Sequence, residues 1–375
     1  MRIALAIQKL RPLGGLEDNC LRIAAELKQR GHEVTLFTSA DDDIPFRHVV
    51  LRPPMLSITN HGRARAFATG FVAASRGHFD RTVAFQPVPG ADVLFVADVL
   101  RNRADAPLAK RMTPRFRTHA ALEEGCFGSR ASTRIIGLAI PQMRAFAERY
   151  PASRERTVII PPTLPPSRRR TDLHVPGRRR AARARFGLDD SSIAWLWLGL
   201  QPTVKGLDRV VEALPRSPNA VLLVGGLTSA DNKSRRDATR AIRLGVGDRM
   251  RWLGYVTNDE YFDAIAAADL LVHPARVDVT GGVILEAIVN GLPVVATDVC
   301  GFSPHIERSG AGRVVPSPFD PGAFDAALSA VGGADRAALS ARGIAYGADP
   351  LLYSGIEAAC DLIEAADWPP SRDVP

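Results

Sequence analysis

A chain of 375 residues, 46% hydrophobic and 23% charged, has the composition of an ordinary globular protein and the length of about two domains, each able to bury a full-sized core. The four cysteines, Cys20, Cys126, Cys300 and Cys360, show no CxxC spacing, so neither a zinc site nor a disulfide framework is indicated, and a reducing compartment fits best. A net charge of +8 and a pI near 9.7 admit a polyanionic partner. Yet 43 arginines stand against 5 lysines, a skew expected of a GC-rich genome whatever the function, and an anionic membrane would be attracted as readily as a nucleic acid.

The opening MRIALAIQKL has too short an apolar run for a signal peptide, and no later run approaches the ~20 apolar residues of a membrane span. The chain is therefore expected neither to cross a membrane nor to be exported by the usual route. Residues 2–8 (RIALAIQ) read as a buried strand, and LEDNCLRIAAELKQRG carries Cys20, Ala24 and Leu27 on one helical face before a stop at Gly31. Further strands are expected at 32–38, 48–52, 82–85, 93–97 and 134–139. Residues 161–185, with five prolines and eight arginines, read as a solvated connection between domains. The alternation then resumes, with strands at 194–200 (AWLWLGL), 220–226, 250–254, 270–274 and 293–297, and ends on a helix within 351–368 that fits either domain. This alternation predicts an α/β architecture of two Rossmann-like, doubly wound domains, residues 1–163 and 164–350, with a C-terminal helix and tail at 351–375. A ligand crevice is expected at the carboxyl ends of the strands, between the domains.

RVDVTGGVILEAIVNGLPVVAT (276–297) leaves a strand end and opens a short helix that Gly291 stops. Gly281 and Gly282 stand at the helix start, where unpaired N–H groups and about half a positive charge make an anion site, and missing Cβ atoms let a phosphate approach the backbone. Glu286 lies four residues after Gly282, on the same face, and helical side chains lean toward the N-terminus, so its carboxylate points back toward the bound group. It would repel a phosphate but accept the two hydroxyls of a ribose attached to it. Asp278, in the preceding loop, can reach a sugar at the other end of such a ligand. The stretch reads as a nucleotide-sugar cradle, although two glycines easing a tight turn before an exposed Glu286 would be written in the same letters.

Lys205, in LWLGLQPTVKGLDR, sits just beyond the first strand of the same domain, where a point charge would neutralise a diphosphate and stabilise it as a leaving group. In the N-terminal domain, Gly14 and Gly15 of KLRPLGGLEDN form a second phosphate-facing turn. The spacing is not GxGxxG, and LFTSADDD lacks the strand-two acid for a nicotinamide ribose, which disfavours a dehydrogenase. Asp98 ends the buried strand of VLFVADVL and suits an acceptor hydroxyl, or simply caps the strand. The run Asp41–Asp43 has the letters of a metal-holding DxD, but directly after an ordinary strand a solvated acidic turn is the simpler reading.

On these residues the chain resembles the retaining family 4 glycosyltransferases of GT-B fold, two Rossmann-like domains facing an interdomain cleft. Within them it resembles the enzymes that add glucose to an inner-core heptose of lipopolysaccharide. The similarity runs from RIALAI to the final helix and includes LGGLEDNCLRIA, TNHGRARA (59–66), ADVLFVADV (91–99), VIIPP (158–162), KGLDR (205–209), ADLLVHPA (268–275), GGVILEA (281–287) and VCGFSPHI (299–306). TNHGR and VCGF mark the subfamily, whereas the helix-start acid motif is shared by the whole superfamily. The resemblance implies that Lys205 and the amides of Gly281, Gly282 and Val283 hold the donor diphosphate, Glu286 its ribose and Asp278 its hexose. It also implies that Gly15 lies near the phosphates and Asp98 near the acceptor, so that Asp98, Lys205 and Asp278 are the catalytic residues, with the TNHGR loop shaping the cleft. A UDP-sugar co-substrate, UDP-glucose favoured, and an inner-core acceptor follow from it, with no cofactor and no metal. Retention by front-side attack, in which the departing phosphate takes the acceptor proton, is implied as well, with positioning and charge supplying the catalysis.

Three positions depart from the family pattern. Asp278 replaces the usual glutamate and Asn19 an expected aspartate, both bearing on donor choice, and Val204 stands where a basic residue often precedes the lysine. A different UDP-sugar or glycan acceptor therefore stays open. The family is cytoplasmic and peripheral to the inner membrane, and segment 101–127, with seven basic residues counting His119 and Leu, Met and Phe interleaved, is compatible with an anionic membrane interface or with a solvated basic helix and loop. The rival from another class is a non-catalytic basic module for RNA or anionic lipid. No nucleic acid is expected, because stacking aromatics are missing and the arginines cluster in the 161–185 connection.

Overall fold

The computed structural model describes residues 1–10, 14–40, 45–55, 57–256 and 258–369; the Asp41–Asp43 run lies outside them. The chain divides into two compact units, one of Met1–Thr163 with Tyr353–Pro375 and one of Leu164–Leu352.

The first unit is built on seven parallel strands, β1 Arg2–Ala6, β2 Glu33–Thr38, β3 His48–Val50, β4 Arg81–Ala84, β5 Val93–Val96, β6 Arg134–Gly137 and β7 Thr157–Ile159, in the order β3-β2-β1-β4-β5-β6-β7. Alternate residues of β1 feed opposite layers, as the strand period requires. Ile3 and Leu5 join Cys20, Ile23, Ala24 and Leu27 of the helix Gly15–Gln29, while Ala4 and Ala6 join Phe67 and Phe71 of the helix Asn60–Ser75. The last helix, Gly355–Glu364, belongs to this unit. Its Ile356, Ala359, Cys360 and Ile363 extend the layer of Cys20 and Leu27, and Arg30 reaches Asp361 and Glu364 at 2.6 and 2.7 Å.

The second unit has six parallel strands, β8 Ile193–Leu198, β9 Ala220–Gly225, β10 Met250–Gly254, β11 Leu270–His273, β12 Val294–Thr297 and β13 Gly312–Val315, ordered β10-β9-β8-β11-β12-β13. Both sheets are doubly wound. Strands β8 and β11 are neighbours, and from them the chain winds outward in opposite directions, so the loops leaving their carboxyl ends diverge and open a crevice.

Residues 161–185 depart from their reading as a solvated connection. Pro176–Arg185 is a helix that packs against the helix Asn258–Ala267, and Leu173 and Ala182 are core residues at 0% and 3% exposure. The arginines are put to structural use. Arg179 donates to the carbonyls of Ala266 and Ala268 at 2.9 and 2.8 Å and pairs with Asp269 at 2.5 Å. Arg183, itself buried, donates to Ala267 O and to Asp269 at 3.2 Å each. Guanidinium groups thus satisfy the last carbonyls of the neighbouring helix, at its negative end.

Candidate active site

Lys205 is carried by the short helix Pro202–Lys205 after β8, and Gly206 turns the chain into the helix Leu207–Ala213. Gly206 adopts φ +72°, and a Cβ there would stand 2.0 Å from Pro274 O, so only glycine lets this turn lie against the exit of β11. Arginines fasten the two loops. Arg276 donates its backbone N–H to Val204 O (2.8 Å) and its guanidinium to Thr203 O (2.7 Å) and Asp208 (2.7 Å), and Arg209 reaches Pro274 O and Ala275 O at 3.0 and 3.2 Å.

The pinned loops bring Lys205 Nζ to 2.6 Å from Asp278 Oδ2. The same oxygen is 2.8 Å from His273 Nε2, at the end of β11, and the other accepts from the Gly281 amide at 3.0 Å. Backbone bonds from Gly301 N to Asp278 O (3.2 Å) and Phe302 N to Thr280 O (2.7 Å) fix the loop from the far side. Burial by itself would push the Asp278 carboxyl up. The His273 hydrogen bond and the charges of His273 and Lys205 outweigh it and hold the group well below the usual carboxylate range, so Asp278 is anionic at neutral pH.

Gly281, at φ +74°, is the residue before the helix Gly282–Val289. Gly282 is exposed, and a Cβ on it would meet no atom within 4 Å. Among the described residues nothing packs over this backbone, where the first amides of the helix have no intrahelical acceptor.

One turn on, half-buried Glu286 accepts a hydrogen bond from the phenol of Tyr261. Tyr261 is buried, and burial first, then the charge of Glu286, raises its phenol well above the ordinary value, so it stays protonated and donates. The Arg168 guanidinium lies 4.9 Å over the Tyr261 ring. Asn290 Nδ2 ties Glu286 O and Arg168 O together, at 2.7 Å each. The arginine-rich segment thus braces the back of the acid-bearing helix. If Glu286 holds the ribose of a nucleotide-sugar, as the resemblance implies, removing the phenol oxygen that orients it, in Tyr261→Phe, is expected to raise KM for that donor about tenfold. kcat should stay within about twofold and thermal stability near wild type; steady-state kinetics with a melting curve checks the split.

In the first unit Gly14 precedes the helix Gly15–Gln29, and among the described residues no side chain caps it and no atom lies within 4 Å of where a Cβ on Gly15 would stand. Asp98 follows β5 and is ion-paired with Arg101. Its loop is held by Gln142, which donates to Val96 O and Asp98 O at 3.0 and 2.8 Å, and by buried Glu123, which accepts from the Arg101 and Asn102 amides at 2.8 Å each. His119 lies within the electrostatic reach of Asp98, Arg101, Arg115 and His61 of the TNHGR stretch. Burial, then the charges of Arg101 and Arg115, push the His119 imidazole down, against the pull of Asp98. Thr59 caps the helix Asn60–Ser75 by accepting from Gly62 N at 3.1 Å, so TNHGR is a helix start.

Within the second unit the fold assembles Lys205, Asp278, Gly281, Gly282, Val283 and Glu286 around the neighbouring exits of β8 and β11; Gly14, Gly15 and Asp98 belong to the first. Sequence reasoning missed His273, Tyr261, Arg209 and Arg276. His273 is hidden in the apolar run LLVHP and Tyr261 in YFDAIAAADLL, where both letters read as core, and the arginines look like solvated charges until the strand order is known.

The family described as Glycosyl transferases group 1 matches residues 179–332. Lipopolysaccharide glucosyltransferase WaaG of Escherichia coli K12 is 33% identical over 329 residues, covering 85% of this chain and 86% of that protein. D-inositol 3-phosphate glycosyltransferase of Geodermatophilus obscurus is 27% identical over 359 residues, covering 85% of this chain and 77% of that protein. The crystal structure of WaaG, a glycosyltransferase involved in lipopolysaccharide biosynthesis, superposes with a TM-score of 0.86 at 31% identity, covering 97% of this chain and 100% of that one. Anabaena Alr3699/HepE, solved in complex with UDP-glucose, shares the fold at a TM-score of 0.73 and 17% identity, with 96% and 98% of the two chains covered. The two parallel sheets are those of the GT-B fold, and the chain belongs to the lipopolysaccharide glucosyltransferase family of the group 1 glycosyltransferases.

Proposed function

We propose that the chain transfers a hexose from a UDP-sugar, UDP-glucose favoured, to a heptose of the lipopolysaccharide inner core, with retention of configuration and without a metal. The observation that carries this reading is the meeting of Lys205 and Asp278, beside an open helix start, at the diverging exits of β8 and β11. The Gly282 and Val283 amides and the Lys205 ammonium would seat the diphosphate, Glu286 the ribose hydroxyls and Asp278 the hexose. In the transfer the bond from anomeric carbon to phosphate oxygen breaks, the bond to the acceptor oxygen forms on the same face, and the acceptor proton passes to the departing phosphate. Lys205 and the amides stabilise the charge that grows on that phosphate. Asp98, paired with Arg101 and close enough to His119 to act on its charge, is assigned to the acceptor.

Segment 101–127 suits a peripheral place on the cytoplasmic face of the inner membrane. Leu108 and Met112 are 72% and 70% exposed, with Lys110, Arg111, Arg115 and Arg117 exposed around them, an amphipathic arrangement that anionic lipid would hold by charge and apolar burial. Among the described residues no helix is long and apolar enough to cross a membrane.

The test is incubation with a glucose-free, heptose-ended lipopolysaccharide core and, in turn, UDP-glucose, UDP-galactose, UDP-N-acetylglucosamine and UDP-galacturonate, with and without excess EDTA. One added hexose from UDP-glucose, in the anomeric configuration of the donor and at equal rate in EDTA, is expected. No transfer from any donor, an inverted product, or loss of activity in EDTA would overturn the reading.

A further inference from the structure

Cys300, in the VCGF stretch, has no role in the donor site as described, yet its thiol, a His273 ring nitrogen and an Asp278 carboxylate oxygen lie within 4.8 Å of one another. Rigid elements hold all three. His273 ends β11, Cys300 lies three residues beyond β12, and the Asp278 loop pairs with Cys300 through an isolated parallel bridge. His273 and Cys300 are 1% and 0% exposed, and the Asp278 side chain 11%, so this is no chance cluster of surface acids.

Imidazole, thiolate and carboxylate together form a ligand set for zinc and its soft neighbours, and a buried thiolate selects them over magnesium or calcium. Ligand bonds of about 2.0–2.3 Å set tetrahedral ligand pairs about 3.5 Å apart, so the widest pair here would close by about 1 Å. His273 Nδ1 is buried and has no hydrogen-bond partner among the described residues, and metal-binding histidines normally gain much of their affinity from such a partner. A site without it should exchange its metal rather than hold it as a structural ion.

We propose that His273, Asp278 and Cys300 form an inhibitory site for a thiophilic divalent metal, zinc foremost. The ion enters beside Lys205, whose side chain is 24% exposed. It takes an oxygen of Asp278, Nε2 of His273 with the ring proton on Nδ1, and the sulfur of Cys300; water fills the fourth position. The thiol proton and the Nε2 proton of a charged His273 leave to solvent, Lys205 loses its ion pair with Asp278, and nothing is oxidised or reduced. Metal capture stands on these three side chains alone. The inhibition rests on the donor-site reading, because the ion takes Asp278 from the hexose and places positive charge against Lys205.

Titration of the full chain with Co²⁺ separates the two. One equivalent is expected to give a thiolate-to-cobalt absorption in the near ultraviolet, displaced by Zn²⁺ and absent from Cys300→Ala and from the similarly sized Cys300→Ser. In the transfer assay saturating Zn²⁺ is expected to raise KM for the nucleotide-sugar at least tenfold, reversibly with EDTA, in the wild type and in neither variant. A wild-type chain without the thiolate band, or a band that survives in the variants, overturns the site whether or not transfer is observed. A Cys300-dependent band with unchanged transfer overturns the inhibition and, with it, the placing of the donor hexose on Asp278.

Discussion

Lys205→Ala is expected to lower kcat/KM about a thousandfold while leaving the fold in place. The lysine is asked to oppose the charge that develops on the departing diphosphate, and deleting one preorganised partner of that kind costs about 2.7–4 kcal/mol of barrier, or 10²–10³ in rate. Little stability should go with it, because Asp278 keeps His273 at 2.8 Å and the Gly281 amide at 3.0 Å, and the main chain of the Lys205 turn is held independently by Trp197 Nε1 donating to Lys205 O (3.1 Å) and by Arg276. Lys205→Arg should recover only part of the loss, since a planar fork on a longer stem does not place its charge where a compact ammonium does. Steady-state kinetics beside a melting curve decides. Wild-type turnover in Lys205→Ala would remove the lysine from the chemistry, and a collapsed melting transition would make its role structural.

The second large effect is expected at Glu286, where alanine and glutamine should part company. Two ribose hydroxyls donating to a carboxylate are each worth about 1.5–3 kcal/mol, so Glu286→Ala should lower kcat/KM by at least a hundredfold. The same variant strands the buried Tyr261 phenol without this acceptor, a further cost of about 1–3 kcal/mol in stability. Glu286→Gln keeps an oxygen for Tyr261 and should melt near wild type, yet lose roughly tenfold in kcat/KM with the charge. A Glu286→Gln enzyme as active as wild type would contradict the ribose assignment.

How far the sequence reaches is set by what each residue's partners are. AWLWLGL and LLVHP are legible because strands buried on both faces are written as continuous apolar runs, and β8 and β11 fall there. Edge strands β7 and β13 escaped: TVI is hemmed between the charged run RER and the prolines from 161 on, and half of GRVV is glycine and arginine, so neither stands out as an apolar run. The arginine-rich helix Pro176–Arg185 was misread because composition counts charges without showing what they reach, and Arg183 reaches the carbonyl end of another helix. At the site, the glycine-to-acid spacing after β11 is local and readable, as is the lysine after β8. Their adjacency needs the strand order, and the anchoring of Asp278 by His273 and of Glu286 by Tyr261 needs side-chain directions. The loop acid expected to face a sugar is in the structure the anchor of Lys205, a pairing that no spacing rule encodes.

The most direct measurement is a crystal structure of the chain with UDP. The diphosphate is expected within hydrogen-bond distance of the Gly282 and Val283 amides, with Lys205 Nζ turned from Asp278 onto a phosphate oxygen and both ribose hydroxyls on Glu286. A nucleotide bound elsewhere, or a Lys205 that keeps its 2.6 Å contact with Asp278 while the phosphates sit beyond its reach, would contradict the assignment of this strand exit as the donor site.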